Sequence, residues 1–267
     1  MGEILLKNIP ERTAKPRSNG WTMVMDKGLS IPEIENFLSI AEPYTDIVKF
    51  GFGTAYVTQN LSEKIAVYKS CGIPVYFGGT LFEAFIARGQ FKDYIEVVKK
   101  YKLEYVEVSD GSLEISHDKK CEYIKELSNY CTVLSEVGSK DAEKIIPPYI
   151  WLQLMEAELE AGAEKVIAEA REAGTVGIYR GTGEVRSGLV QEILSKIKSE
   201  KILWEAPQKD QQVWFIKLLG SNVNLGNIAP NDVLPLETLR LGLRGDTFEH
   251  FLGDEKPDKP YSFDKLR

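Results

Sequence analysis

The chain is poor in the side chains on which several common kinds of site depend. Its 267 residues include only two histidines and three cysteines, and Cys71, Cys121 and Cys131 do not show the paired CxxC spacing of a metal site. Neither histidine stands in a metal-binding motif. Because few and unpaired thiols are typical of a reducing compartment, the sequence predicts a cytoplasmic protein without a disulfide framework.

Long apolar runs and basic blocks are also missing. A membrane span needs about 20 largely apolar residues, and no segment approaches that length. The N-terminal apolar run is too short for a signal peptide, so we expect neither secretion nor a membrane partner. The net charge of −7 and the lack of an Arg or Lys block argue against nucleic-acid binding. A local basic pocket for a small anion remains compatible with this charge.

Glycine-rich nucleotide motifs do not occur either. The first strand-like run is followed by DKGLS, which lacks the dinucleotide-binding turn of an open doubly wound sheet. The segment GIYRGTGEVRSG has neither the Walker lysine nor the GxGxxG spacing. We therefore interpret it as an enlarged loop after the sixth strand of another architecture.

The residues that are present alternate between strand-like and helix-like segments. This pattern is typical of βαβ units, and eight alternations in 267 residues predict an α/β protein with a single (β/α)8 TIM barrel. We place the barrel at residues 21–250, between an N-terminal arm (1–20) and a polar tail (251–267). The predicted strands are TMVMD ending at Asp26, DIVKF from Asp46, IPVYF before Gly78, YVEVS from Tyr105, TVLSEV from Thr132, KVIAEA from Lys165, KILWEA from Lys201 and NVNLG from Asn222.

Two predicted helices carry signals at their ends. Ser30 is the expected N-cap of IPEIENFLSIAE, with Pro32 in its first turn. Ser62 is the expected N-cap of SEKIAVYKSCG, which Gly72 ends. These signals support the assignment of helices between the first three strands.

Association between copies of the chain is left open by the composition. Barrel enzymes commonly associate through their outer helices, and one helix presents the apolar side chains of Trp151, Leu154 and Met155. This face would serve either a homo-oligomer contact or packing against the sheet, and the sequence favours neither.

Four strand-like runs carry a glutamate at or near their C-terminal end. These are Glu107 in YVEVS, Glu136 in VLSEVG, Glu169 in VIAEAR and Glu205 in ILWEAP. An unpaired buried carboxylate costs several kcal/mol, so the four need a shared compensator such as a cation. Because strand ends of a parallel barrel share one mouth, the pattern predicts one acidic site, suited to Mg²⁺. The alternative for any single glutamate is a structural ion pair.

Several separated motifs carry a resemblance to a known family. RTAKPRSNGWTMVMDKGLS, DIVKFGFGTA, PVYFGGTLFEAF, VEVSDGS, LSEVGSKD and LETLRLGLRGDTF together resemble the phosphosulfolactate synthase family, over about Arg12 to Phe248. The resemblance implies a barrel enzyme that adds sulfite to phosphoenolpyruvate with Mg²⁺, giving (2R)-phospho-3-sulfolactate. This is a carbon–sulfur lyase run in the synthetic direction. In archaeal members the product enters coenzyme M biosynthesis, and in some bacteria it leads to sulfolactate.

The chemistry of this reaction suggests roles for the residues at the barrel mouth. Attack of sulfite on C3 places extra negative charge on the substrate carboxylate, which a metal ion and fixed cations would stabilise before a lysine protonates C2. Phosphate commonly binds after the seventh and eighth strands of a barrel. The assignments are Lys140 or otherwise Lys49 as the acid, Lys27, Lys49, Arg171 and Arg180 for anions, Asn224, Gly226 and Asn227 for phosphate, and Glu107, Glu136, Glu169, Glu205 and, more weakly, Asp26 for Mg²⁺.

Two other functions are compatible with the same barrel. In a Schiff-base lyase or aldolase, Lys49 or Lys140 would attack a carbonyl after burial lowers its pKa. In a non-catalytic protein, like the plant heat-stress-associated members of the sequence family, the barrel would persist without activity. The intact acidic and basic strand ends argue against this second alternative.

Overall fold

Eight parallel strands form the centre of the structure, which confirms the predicted (β/α)8 barrel. The computed structural model describes residues 4–139 and 146–252. The first and fifth strands have the predicted bounds, whereas the sixth begins two residues early and the eighth three residues late. The strands are β1 (Thr22–Asp26), β2 (Ile47–Phe50), β3 (Val75–Phe77), β4 (Tyr105–Val108), β5 (Thr132–Val137), β6 (Ala163–Ala168), β7 (Ile202–Glu205) and β8 (Leu225–Ile228).

The strands follow one another around the barrel in the order β3-β2-β1-β8-β7-β6-β5-β4. β3 and β4 stand at the two ends of this order and face each other where the barrel closes. A side chain bridges this junction: the backbone N–H of Gly79, just after β3, donates to Glu107 Oε1 of β4 at 2.5 Å. The barrel is thus nearly closed, and its C-terminal strand ends share one mouth.

Helices occupy the outside of the barrel between the strands. Ser30 and Pro32 begin the first helix as predicted. Ser62 is not an N-cap, because the third helix begins at Leu61 and its N-cap is Asn60. The helices are α1 (Ile31–Ala41), α2 (Thr54–Val57), α3 (Leu61–Ser70), α4 (Gly79–Ile86), α5 (Phe91–Tyr101), α6 (His117–Leu127), α7 (Pro148–Glu160), α8 (Ser187–Leu194), α9 (Lys209–Leu219), α10 (Val233–Arg240) and α11 (Phe248–Phe251).

Strand side chains alternate between two apolar layers. Val24 and Val48 belong to the large layer between the strands and the helices, whereas Met23 and Ile47 belong to the small layer that fills the barrel interior. The apolar face of α7 joins the outer layer, where Trp151 is 1% and Met155 0% exposed. Of the two interpretations of this face, packing against the sheet is therefore the one that the structure supports.

The eighth strand contains an irregularity that matters for the site. Thr22 pairs with Leu225 and Val24 with Ile228, so three steps along β8 match two along β1. Asn227 takes up the extra residue with a left-handed backbone, φ 57°. A bulge of this kind redirects a side chain. The predicted start at Asn222 is wrong because Asn222 and Asn224 bond the backbone at the other end of the barrel instead of forming strand pairs.

The N-terminal end of the barrel is closed by buried arginines. Arg12 pairs with Glu237 at 2.9 Å, which anchors the segment before β1. The guanidinium of Arg240, 0% exposed, donates to the carbonyl oxygens of Ser221 and Val223 at 2.7 Å and of Trp21 at 3.0 Å. These bonds fix the chain on both sides of β8.

In residues 4–139 and 146–252, no helix combines the length and the apolar character that crossing a bilayer requires.

Replacing Arg240 by Met should lower the free energy of unfolding by about 3 kcal/mol or more, because three carbonyl oxygens lose the hydrogen bonds that the buried guanidinium donates to them. Urea denaturation measures this loss. The matched control is Arg88→Met, since Arg88 is exposed and its side chain donates to the Ala84 carbonyl oxygen four residues earlier. The control should stay within about 0.5 kcal/mol of the wild type. Equal losses in the two variants would contradict a special role for Arg240.

Candidate active site

A cavity of about 280 Å³ opens at the C-terminal ends of the strands. Two larger cavities, of about 450 and 660 Å³, lie outside the barrel around α2 and α4 and are lined almost wholly by uncharged residues. Of these three cavities, the mouth cavity is the one that gathers several charged side chains. Its lining is Met25, Lys49, Gly51, Phe52, Gly78, Thr80, Glu107, Glu136, Glu169, Arg171, Glu172, Ala173, Glu205 and Asn227.

Lys49 lies at the centre of the buried charges. Its ammonium nitrogen is 2.9 Å from Glu107, 3.3 Å from Glu205 and 3.5 Å from Glu136. All four side chains are 8% exposed or less. Burial by itself lowers the pKa of Lys49, but the charges of Glu107, Glu205 and Glu136 outweigh burial and hold that pKa well above its ordinary value. Lys49 is therefore an ammonium ion at neutral pH.

Three buried carboxylates share the ammonium group of Lys49. Burial raises the pKa of Glu107, and Lys49 only partly offsets this effect. Burial also raises the pKa of Glu205, to about 7, against the opposing charge of Lys49 and with a further contribution from Glu136. Carboxylates buried this close together favour a bound cation or a proton.

Three of the glutamates offer oxygens that fit a metal ion. Each of these residues contributes one carboxylate oxygen, and the three oxygens lie within 4.8 Å of one another. The residues are Glu136, Glu169 and Glu205, and all three are buried. Carboxylate oxygens are the donors that Mg²⁺ prefers. Glu107 is held elsewhere, by Lys49 and the Gly79 amide. The residues present therefore fit Mg²⁺, with Glu107 as a partner of Lys49 and not a member of this triad.

Gly79 is required for the close approach of α4 to β4. A Cβ atom at this position would lie 2.2 Å from Ser109 Oγ and 2.8 Å from Glu107 Oε1. No other residue type leaves room for the amide to reach the Glu107 carboxylate. The two glycines after β3 thus serve the placement of a buried charge.

Three strand ends turn side chains over the cavity through a left-handed backbone. Phe52 after β2, Arg171 after β6 and Asn227 in β8 have φ of 54°, 54° and 57° and all line the cavity. The turn at Arg171 is fixed because its N–H donates to Glu169 Oε1. Such a backbone is unfavourable for residues other than glycine and tends to occur at functional sites.

The structure brings together seven of the residues that the sequence assigned to the site. Lys49, Glu107, Glu136, Glu169, Arg171, Glu205 and Asn227 all line the cavity. Lys27 lies at its rim, where it pairs with the lining residue Glu172. Arg180 is exposed, lies outside the lining and is 3.7 Å from Glu184. Lys140, the first choice for the acid, lies outside the described residues.

Three other assigned residues are placed away from the cavity. Asp26 follows the inward-pointing Met25, so it faces outward and binds Lys64 at 3.1 Å and Tyr68 at 3.0 Å. Asn224 precedes β8 and donates to Ile202 O at the opposite end of the barrel. Gly226 lies below the mouth, where a Cβ would meet Met23 at 2.8 Å. Their assignment to metal and phosphate is therefore not supported by their positions.

The cavity also contains residues that the sequence reasoning missed. Phe52, Met25 and Thr80 are uncharged, so a search for charge at strand ends passes over them. The GFG sequence around Phe52 is the one available signal, because flanking glycines often mark a turn with an unusual backbone.

Comparison with known proteins identifies the family. Residues 10–246 match the family model for (2R)-phospho-3-sulfolactate synthase (ComA). The chain belongs to the phosphosulfolactate synthase family. This confirms the family predicted from the sequence motifs, and its name agrees with the principal function predicted there.

Individual phosphosulfolactate synthases are similar over almost their whole length. The protein of Bacillus subtilis is 43% identical over 243 residues, covering 90% of this chain and 96% of its own. That of Methanothermobacter thermautotrophicus is 41% identical over 244 residues, covering 89% and 95%. Protein HEAT-STRESS-ASSOCIATED 32 of Arabidopsis thaliana is 23% identical over 259 residues, covering 86% and 88%. Similarity to the synthases is clearly the stronger.

Solved structures with a similar fold are barrel enzymes of other families. 3-Hexulose-6-phosphate synthase from Salmonella typhimurium has a TM-score of 0.52 and 16% identity, covering 87% of this chain and 98% of its own. 3-Keto-L-gulonate-6-phosphate decarboxylase from Vibrio cholerae has a TM-score of 0.51 and 10% identity, covering 87% and 97%. At these identities the similarity supports the fold of this phosphosulfolactate synthase family member and no more.

In the metal-free protein, Glu205 should make stability depend on pH. Because its pKa rises from 4.5 to about 7 on folding, the folded state binds the proton more tightly, and the free energy of unfolding should fall as the pH rises from about 5 to 7. The contribution is at most about 3 kcal/mol. Urea denaturation in EDTA, repeated at several pH values, should show that the free energy of unfolding of Glu205→Gln changes less with pH than that of the wild type. The control is Glu164→Gln, which changes an exposed carboxylate near the N-terminal end of β6 and should keep the pH dependence of the wild type. The same pH dependence in both variants would refute the prediction.

Proposed function

We propose that this protein catalyses the addition of sulfite to phosphoenolpyruvate, giving (2R)-phospho-3-sulfolactate, with Mg²⁺ as its cofactor. In this proposal it is a carbon–sulfur lyase that works in the synthetic direction. The observation that carries the proposal is the buried carboxylate group around Lys49 at the barrel mouth, in a chain whose relatives are phosphosulfolactate synthases. Both substrates are small anions, which a cavity of about 280 Å³ accommodates.

The reaction concentrates negative charge at one place. The sulfite sulfur forms a bond to C3 of phosphoenolpyruvate, and the π electrons of the C2–C3 bond move toward C2 and the carboxylate. A proton must then reach C2 to complete the addition. Fixed positive charge near the carboxylate lowers the barrier because it stabilises the charge as it develops.

Glu136, Glu169 and Glu205 would hold the metal ion. Their oxygens lie close together, and burial together with the charge of Glu136 raises the pKa of Glu205. The chemistry that bound Mg²⁺ supplies is a fixed divalent charge beside the developing anion. Lys49 orients Glu107, Glu136 and Glu205 and keeps one positive charge within the cavity.

Residues on the outer wall of the cavity would contact the substrates. Arg171 offers a guanidinium, and Asn227, 6% exposed, offers a side-chain amide whose N–H groups can donate to an anion. A guanidinium binds carboxylate or phosphate with two parallel bonds. Lys27 and Arg180 stand further out, where they would attract anions toward the mouth.

For Lys49, the Schiff-base alternative is less compatible with the site, and Lys140, its other candidate, lies outside the described residues. A lysine attacks a carbonyl as a neutral amine, which requires a lowered pKa. The carboxylates around Lys49 raise its pKa instead. Lys49 is therefore suited to hold charge and not to act as a nucleophile.

A single assay tests the proposed function. Purified protein should consume phosphoenolpyruvate only when sulfite and Mg²⁺ are both present, and Glu169→Gln should raise the Mg²⁺ concentration needed for half-maximal rate by about tenfold or more. The same variant should reduce the rise in melting temperature that Mg²⁺ produces. Glu164→Gln serves as the exposed control and should match the wild type in both measurements. A wild type that leaves phosphoenolpyruvate unchanged would disprove the proposal.

Lys140 is the proposed donor of the proton to C2, on the basis of its position three residues after β5 and of the family resemblance. Lys140→Met should lower kcat by about 10²-fold or more, because general acid catalysis contributes that much. Mg²⁺ binding, followed by the shift in melting temperature, should be unchanged. An unaltered kcat would remove Lys140 from the mechanism.

A further inference from the structure

Phe52 stands in a conformation that packing alone does not explain. Its φ of 54° and ψ of 22° are left-handed, a state that costs an ordinary residue about 1–2 kcal/mol. Its side chain is also 51% exposed, so little apolar burial offsets this cost. Glycine would adopt the same turn without strain, as Gly53 does beside it at φ 73°. A bulky aromatic at this position therefore points to a role in the function of the site.

The neighbouring glycine holds the Phe52 turn directly against the cavity. Gly51 packs on Met25, whose Cγ and Sδ would lie 3.1 Å from a Cβ at that position. The turn therefore approaches β1 more closely than any larger residue allows, and both Met25 and Phe52 line the cavity. They form an apolar part of a wall that is otherwise mostly charged or polar.

Phe52 also separates the catalytic cavity from a groove outside the barrel. It lines the mouth cavity together with Lys49, and it lines the neighbouring groove of about 660 Å³ together with Tyr56 and Phe85. Of the described residues that line the mouth cavity, Phe52 is the one aromatic. Thr80 also lines both cavities, so Phe52 and Thr80 together stand between the reacting groups and an open, water-accessible surface, and Phe52 is the larger of the two.

We propose that Phe52 shields C2 of the reacting substrate from bulk water and thereby helps to fix the configuration of the product. This inference rests on the function proposed above. After the C–S bond has formed, the electron pair at C2 takes up one proton. When that proton comes from a group fixed on one side of the substrate, a single configuration results. If the Phe52 ring were removed, water could enter and protonate C2 on either face, leaving hydroxide. The product would have the same composition but would be a mixture of the two configurations at C2.

Exclusion of water also strengthens the electrostatic interactions that the reaction uses. Charges interact more strongly when water is absent between them, so an opened wall should weaken the hold of the site on the developing anion. A shield therefore predicts two linked effects when it is removed, a lower kcat and a mixed product. A residue that only binds substrate predicts a higher KM with a single configuration retained.

The experiment compares Phe52→Ala and Phe52→Leu with the wild type at saturating phosphoenolpyruvate, sulfite and Mg²⁺. The product is dephosphorylated and its two configurations are separated on a chiral column. We expect one configuration from the wild type, a ratio of about ten to one or lower from Phe52→Ala, and an intermediate ratio from Phe52→Leu. The control is Tyr56→Ala, at a residue 83% exposed that lines the outer groove and not the catalytic cavity, which should give the wild-type ratio.

Several results would overturn the inference. An active Phe52→Ala that yields a single configuration removes the shielding role, and a rise in KM alone assigns Phe52 to substrate binding. Loss of all turnover in both variants also contradicts a shield, because the opened site still contains Lys49 and the carboxylates. If the wild type forms no product, the proposed function fails and this inference with it. An active wild type with an unaffected Phe52→Ala overturns this inference alone.

Discussion

The attraction between one ammonium group and three carboxylates, all removed from water, is the constraint on which this structure depends. Lys49 comes from β2, and its partners come from β4, β5 and β7, so no local segment could bring them together. Each charge alone would cost several kcal/mol to bury. The four side chains can pair because their strands place them at the same level along the barrel axis. The alignment of the strands in the nearly closed barrel sets this common level. It thereby concentrates negative charge that a further cation can satisfy.

Around this rigid centre, the structure places less regular backbone at the outer wall of the cavity. Strand positions set Lys49 and the carboxylates, whereas left-handed turns set Phe52, Arg171 and Asn227. The two kinds of backbone suit two tasks. Buried strands hold charges in fixed positions, and strained turns direct single side chains to the cavity wall. The glycines at 51 and 79 allow these parts to meet at distances that a Cβ would prevent.

Much of the fold and part of the site could be predicted from residue patterns. The alternation of apolar runs and amphipathic stretches gave the barrel, and a glutamate at four strand ends gave the acidic cavity, since both signals are local. Gly226 was misplaced because it faces the barrel interior below the mouth, against Met23. Asp26 was misplaced for a different reason. Whether a residue at a strand end faces the mouth or the helices depends on register, and one step along β1 separates Met25 in the cavity from Asp26 outside it. Asn224 was misplaced because β8 begins one residue after it, and its side chain bonds the backbone at the opposite end of the barrel.

The sequence by itself determined the architecture, the family and the accumulation of carboxylates, because periodicity and motif order do not depend on where distant residues meet. Only the tertiary structure decided that Glu107 binds Lys49 and the Gly79 amide, that Glu136, Glu169 and Glu205 converge, and that Phe52 lines the cavity. Those outcomes are set by how parallel strands align around a closed ring and by backbone angles at single turns. Neither quantity is encoded in the spacing of residues along the chain.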